Sequence, residues 1–236
     1  MVRSLGRLVT DGRNSTMKLQ ISIPKAGSHL FKQMTGSTSI GLLQKNMPTP
    51  IAQFKDETDV LGRITDLPEG NYCAHLLHTP AAEFVVSGFD TVILILRDPR
   101  DIIISQLYYV KRWTGKAVNY LVGDGLHLSD LSMEDGIDFL IDNFRPVLLG
   151  FDKWTSCPFV HVFTFEQYID NAELVFERLH DLGYGEIDKM REAITIHDKK
   201  AFRKGDVGDW VNHFSETQAR NSQDNFGDII DKWAMY

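Results

Sequence analysis

The sequence predicts a single α/β domain: a central parallel sheet with helices on both faces and a phosphate-binding turn after the first strand. Three observations predict it. Strand-like and helix-like patterns alternate along the chain, the order that leaves strands parallel and lays helices over them. Thr91 to Leu96 (TVILIL) is an unbroken apolar run of strand length, the pattern of a strand buried on both faces. Ile21 to His29 passes from strand pattern through a glycine-bearing turn into helix pattern.

Taken in order, Lys18 to Ile23 reads as a short strand, with Leu19, Ile21 and Ile23 alternating. Pro24 to Ser28 is a turn, and Ser28 to Met34 reads as the first turns of a helix. Residues 36–70 are polar and interrupted by Gly and Pro, which predicts loop with at most a short helix. Beyond Thr91–Leu96, Asp101 to Arg112 reads as a helix, and 113–131 as a connection of the length that often carries function. Ser132 with Asp135 resembles a helix-start box, and Met133 to Leu149 carries helical spacing. Phe159 to Phe165 alternates as a strand, and Asn171 to Leu182 is an amphipathic helix ended by Gly183. Ile187 to Ile194 reads as a further helix and Phe226 to Trp233 as a weak one. No repeat, low-complexity block or linker divides the chain. The expectation is a flexible N-terminal extension at 1–16 and one domain at 17–236.

The 236 residues suffice for one domain with a sizeable core, and 43% hydrophobic with 24% charged residues is a globular composition. A formal net charge of −7 argues against a nonspecific nucleic-acid binder, so positive charge for a phosphate ligand has to be gathered locally. Two cysteines, Cys73 and Cys157, indicate no disulfide framework and suit a reducing, cytoplasmic compartment. No stretch reaches the apolar length of a membrane span, and the arginine-bearing first sixteen residues lack a secretory core. A short targeting segment or a disordered tail both fit them.

Three constellations carry the chemistry. In the first, Lys25 and Gly27 lie between a strand and a helix N-terminus, which presents N–H groups and partial positive charge to an anion. Lys25 precedes the loop's only glycine, unlike the G-x-x-x-x-G-K-[ST] loop of kinases and NTPases. In the second, Arg97 ends the buried strand and Ser105 lies in the next helix, at the strand ends where ligands of such sheets gather. A helix-start ion-pair cluster of Arg97, Asp98, Arg100 and Asp101 reads the same residues without a ligand. In the third, Phe202 to Phe214 gathers Arg203, Lys204 and the backbone of Gly205 into a compact anion site, with Gly208 permitting a tight loop and Trp210 and Phe214 to anchor it.

Together these residues resemble the PAPS-dependent sulfotransferases, especially the cytosolic branch; PAPS is 3′-phosphoadenosine 5′-phosphosulfate. That family shows P-K-[SA]-G-[ST], then R-[ND]-P-[KR]-D-x-x-x-S, then R-K-G-x-x-G-D-W-x-N-x-F. All three occur here in order, the third matching from Arg203 through Phe214 at nearly every fixed position. The resemblance implies the P-loop-like sulfotransferase fold and transfer of a sulfuryl group from PAPS to a small-molecule hydroxyl or amine, leaving PAP. It implies that Lys25 and the backbone of Ala26, Gly27, Ser28 and His29 hold the 5′-phosphosulfate. Arg97 and Ser105 hold the 3′-phosphate with Arg203, Lys204 and Gly205. The catalytic histidine of the family falls on His75, within Ala74-His75-Leu76, and would act as general base while Lys25 stabilises the leaving phosphate.

The chain departs from the family in several places. Leu30 stands where a tryptophan near adenine is usual, and Phe165-Glu166 replaces a Tyr-Glu pair, so Phe165 would pack on adenine without a hydroxyl. The adenine segment before the third motif is shortened, and no dimer motif follows Phe214, so oligomeric state is open. Cys73-x-His75-x-x-His78 has the look of a metal cluster, but no second cluster completes it, and no metal is expected. Phe31, Phe84, Tyr108, Tyr109 and Trp113 are either acceptor-pocket or core aromatics. Two other classes stay open: a nucleotide kinase, dependent on magnesium, and a noncatalytic relative that binds PAPS or PAP without turnover.

Overall fold

The computed structural model describes residues 16–39, 67, 69–112, 121–123, 126–195 and 205–236. Its strands are β1 (Met17–Ser22), β2 (Thr38–Ser39), β3 (Gly70–Ala74), β4 (Thr91–Leu96), β5 (Leu121–Gly123), β6 (Leu126–His127) and β7 (Val160–Thr164). The helices are α1 (Ser28–Thr35), α2 (Pro80–Val86), α3 (Pro99–Arg112), α4 (Met133–Asn143), α5 (Arg145–Asp152), α6 (Phe165–Asp170), α7 (Ala172–Asp181), α8 (Ile187–Thr195) and α9 (Glu216–Trp233). Five strands form one parallel sheet in the order β2-β3-β1-β4-β7, and β5 and β6 form a separate antiparallel pair.

β4 explains the unbroken apolar run. Val92, Leu94 and Leu96 enter a core beneath α3, α4, α5 and α9, while Ile93 and Ile95 enter a second core with α1, α7 and α8. Each such side chain contributes roughly 1.5–3 kcal/mol by leaving water. β1 alternates for a different reason. Leu19 and Ile21 join the first core, whereas Lys18, Gln20 and Ser22 are buried against polar or aromatic partners: Lys18 by Tyr184, Gln20 against α1 and Ser22 by His75. Gln20 Nε2 donates to the carbonyl of Ser28 at 3.1 Å, so a buried amide on the strand fixes the first turn of α1.

Several expectations need correction. β3 and α2 went unread in the sequence; Tyr72 and Ala74 are buried, but Gly70 and Asn71 dilute the pattern. Met133–Leu149 is two helices, because Pro146 sits at the start of α5 and has no N–H to continue α4. Phe165 begins α6 rather than ending a strand, since Thr164 caps that helix in a reciprocal box with Gln167. The last helix is broken at Phe226, whose φ of −148° is not helical; the part beyond it is the expected Phe226–Trp233 segment, and the part from Glu216 to the kink went unread. Ser215 and Gln218 box its start, and buried Gln218 donates to the carbonyl of Glu134 and to Asp138. The expected extension at 1–16 falls, apart from Thr16, outside the described residues, as does most of the 36–70 loop.

At the sheet edge, Arg178 on α7 donates to the carbonyl of Val162 in β7 at 3.0 Å and lies over the Phe163 ring at 4.2 Å. Among the described residues no helix is long and apolar enough to cross a membrane.

Gly136 of α4 packs so closely on α3 that a Cβ there would lie 2.6 Å from Cδ2 of fully buried Leu107. Gly136→Val is therefore expected to lower stability by about 2 kcal/mol, although valine is the better helix former. Urea unfolding checks this.

Candidate functional site

The carboxyl ends of β1, β3 and β4 lie side by side in the sheet and release the segments that build the site. After β1 the chain turns through Pro24–Gly27. Lys25 (φ 71°) and Gly27 (φ 88°) both occupy the left-handed region. That conformation is free for glycine but costs a lysine roughly 1 kcal/mol or more, and such strain gathers at ligand sites. Gly27 is required twice over. Its φ is positive, and a Cβ there would lie 2.7 Å from the Phe165 ring. α1 then begins with no side-chain cap, so its opening turn presents N–H groups to the mouth of the loop.

Lys25 Nζ lies over the ring of half-buried Tyr109, 4.1 Å from its centre. Burial, and secondarily the Arg97 guanidinium, lower the Lys25 pKa to about 8. Ala26 is buried beneath the turn, Ser28 is half-buried and His29 exposed.

Arg97 is buried at the end of β4. It donates to the carbonyl of Asp206 at 2.7 Å and to that of Lys25 at 3.5 Å, and lies 4.5 Å over the Phe165 ring. Its buried Nε–H has no hydrogen-bond partner among the described residues. A buried donor without a partner is rare in folded proteins, and this one lies beside the turn that follows β1. Ser105 lies on α3 one turn beyond Asp101, half-buried. Gly205 starts the described part of the third constellation, and Arg203 and Lys204 lie outside the described residues. Phe165 is 2% exposed, packed between Gly27 and Arg97, and so forms the floor of the turn.

His75 follows β3. Its Nδ1 lies 2.7 Å from the carbonyl of Ser22 and 3.3 Å from the Ser22 hydroxyl. A carbonyl only accepts, so Nδ1 carries the proton and the neutral ring keeps its lone pair on Nε2. Burial lowers the His75 pKa; the bond to Ser22 opposes this, and the charges of His29 and Lys25 add to the lowering. The ring is thus held neutral with Nε2 as its basic atom. Cys73, His75 and His78 do not converge: Cys73 Sγ lies against Ser39, His75 against Ser22 and His78 against Glu83.

Asp101 was visible in sequence only as part of an ion-pair cluster. It is 1% exposed and accepts from the backbone N–H of Gly208 at 2.8 Å and of Trp210 at 3.0 Å, with Arg97 Nη2 at 3.4 Å. One carboxylate thereby fastens the third constellation to the second. Arg100 reinforces this, paired to Asp98 at 2.6 Å and lying 3.9 Å over the Trp210 ring. Glu166 accepts from the backbone N–H of Asp98 at 2.9 Å; burial raises its pKa, partly offset by that bond. Of the candidate aromatics, Phe31 is core, Phe84 and Tyr108 are exposed, Tyr109 meets Lys25, and Trp113 lies outside the described residues.

No family model matches the chain, and no curated protein does. Solved structures do. A mouse sulfotransferase, SULT7A1, complexed with PAP is 16% identical, with a TM-score of 0.62 over 95% of this chain and 88% of that one. Retinol dehydratase with retinol and PAP is 13% identical, with a TM-score of 0.63 over 92% and 81%. The same enzyme with androsterone and inactive cofactor PAP is 13% identical, with a TM-score of 0.60 over 91% and 80%. At such identities the likeness establishes the fold, which is that of the sulfotransferases.

Asp101→Ala is expected to lower stability by about 3 kcal/mol, because it leaves the buried Arg97 and two part-buried N–H groups short of an acceptor. It should also speed proteolysis within 205–214. Denaturant titration and limited digestion measure the two effects.

Proposed function

We propose that this chain is a PAPS-dependent sulfotransferase that transfers a sulfuryl group to the hydroxyl or amine of a small-molecule acceptor, in the cytoplasm and without a metal in the reaction. The observation that carries the reading is the meeting of three segments at the strand ends. The uncapped, strained turn at Lys25–Gly27, the orphaned Arg97 Nε–H and the loop pinned by Asp101 face a common region. The fold supports it, since the neighbours it matches hold PAP.

In this reading Lys25 and the N–H groups from Ala26 to His29 hold the 5′-phosphosulfate. Arg97, Ser105, Arg203, Lys204 and the backbone of Gly205 hold the 3′-phosphate, and Phe165 supports the turn beneath the nucleotide. Bound PAPS supplies the sulfuryl group, whose bond to the phosphate oxygen breaks as the acceptor bonds to sulfur. His75 Nε2 takes the acceptor proton; its tautomer is set by the carbonyl of Ser22. Lys25 and the turn N–H groups neutralise the charge that appears on the released phosphate. Their worth rests on being in place beforehand, so no reorganisation is needed as charge develops.

The direct test is PAP formation from PAPS with a panel of alcohols, phenols, amines and sugars, without added metal. His75→Ala and Lys25→Met are each expected to lose about a hundredfold or more in kcat while the fold persists. A wild type that binds PAP but never releases it from PAPS would leave a noncatalytic binder, and one that binds no PAP would end the assignment.

The pH profile follows from two groups. His75 must be neutral and its pKa is lowered, so activity falls with acid only below the ordinary histidine value near 6.5. Lys25 must be charged, so kcat/KM for PAPS falls as pH rises through about 8. PAP binding near that pH should take up a proton, because a bound anion raises the lysine pKa. Calorimetry in buffers of different ionisation enthalpy measures that uptake.

A further inference from the structure

Beyond the sulfuryl-transfer site, three potential ligands from separate segments converge. His78 lies in the connection after β3, Glu83 on α2, and Cys157 just before β7. His78 Nε2, Glu83 Oε2 and Cys157 Sγ all lie within 4.8 Å of one another. Nε2 and Oε2 are 2.7 Å apart.

Each ligand is held by its surroundings. The backbone N–H of His78 donates to the carbonyl of Gly150 at 2.9 Å, and its ring meets Trp154 edge-on at 4.8 Å. Trp154 is fully buried and its Nε1–H donates to the carbonyl of Leu76 at 2.8 Å. Thr79 caps α2 through Ala82, and its carbonyl accepts from the N–H of Glu83 at 2.8 Å. Cys157 is buried, its N–H bonded to the carbonyl of Trp154 at 3.1 Å. Glu83, with a side chain 44% exposed, opens the group to solvent on one side.

We infer that His78, Glu83 and Cys157 form a binding site for a borderline-to-soft divalent metal ion such as Zn²⁺ or Co²⁺, with water in the fourth position. The donor set selects the ion. One thiolate and one imidazole disfavour Mg²⁺ and Ca²⁺ and suit zinc or cobalt. Metal–ligand lengths of about 2.0–2.3 Å in a tetrahedron place donor atoms about 3.3–3.6 Å apart. His78 Nε2 and Glu83 Oε2, 2.7 Å apart, have to part by somewhat more than about 0.5 Å, and the wider pairs, within 4.8 Å, to close by up to about 1 Å, shifts that side-chain rotation supplies. Three protein ligands and an open position make a site that exchanges with solvent. An ion there joins the segment that carries His75 to α2 and to the lead-in of β7. This holds whether or not the chain transfers sulfuryl groups.

The test is titration of the full chain with Co²⁺ alone, read by its thiolate-to-cobalt charge-transfer absorption. The expected result is one Co²⁺ per chain with that band present, and the band displaced by Zn²⁺. Cys157→Ser abolishes it, Glu83→Gln weakens Co²⁺ binding at least tenfold, and Cys73→Ser leaves it unchanged. A parallel measurement needs no change at Cys157. Zn²⁺ should protect Cys157 of the wild type from a thiol reagent, as located by peptide mapping, and fail to do so in His78→Ala. Absence of the band in folded wild type at millimolar Co²⁺ overturns the inference, as does a band that survives Cys157→Ser or thiol protection that survives His78→Ala.

Discussion

A single buried carboxylate, that of Asp101, holds the proposed nucleotide site in one piece. Its two oxygens accept from Gly208 and Trp210, residues 107 and 109 positions further along the chain, and stand beside the Arg97 guanidinium. Loop-closure entropy rises only logarithmically with length, so this separation adds little to the cost of joining the segments. Charge-assisted bonds to backbone N–H groups offset it. Arg97 then extends the connection to the carbonyls of Asp206 and Lys25. Phosphate turn, strand end and distal loop thus share one polar network rather than three independent contacts.

Lys25 and His75 show how one environment serves opposite needs. Burial lowers both pKa values, which leaves the histidine neutral and the lysine charged near neutrality. The positive charge of Lys25 itself helps keep His75 unprotonated. The ring nitrogen that faces the carbonyl of Ser22 is committed to donating, which leaves the lone pair on the other.

Much of this was legible in the residues. TVILIL announced β4 because a strand buried on both faces has no reason to alternate, and the Lys25–Gly27 turn announced itself by its place between strand and helix. β3 stayed hidden because Gly70 and Asn71 interrupt a strand that pairs on both sides with β1 and β2. The first half of α9 stayed hidden because its buried positions include Gln218 and Ser222, which a hydrophobic pattern does not count. At the candidate site, the spacing of Lys25, Gly27 and Arg97 already put them at the carboxyl ends of strands, and the structure brings Arg97 to the carbonyl of Lys25. The role of Asp101 was not legible, since its partners are backbone N–H groups that carry no sequence signature. His78, Glu83 and Cys157 escaped for a related reason: their proximity arises from the packing of α2 against the approach to β7.

The hold of Arg178 on β7 bears on how the molecule behaves in a crowded solution. β7 ends the row of described strands, and the exposed carbonyls of such an edge are a template on which another chain can add a strand. Arg178 occupies the carbonyl of Val162 and so withdraws that acceptor, while its guanidinium lies over Phe163, a ring already buried in the second core. One acceptor at the end of the row of described strands is thereby satisfied from within the chain itself.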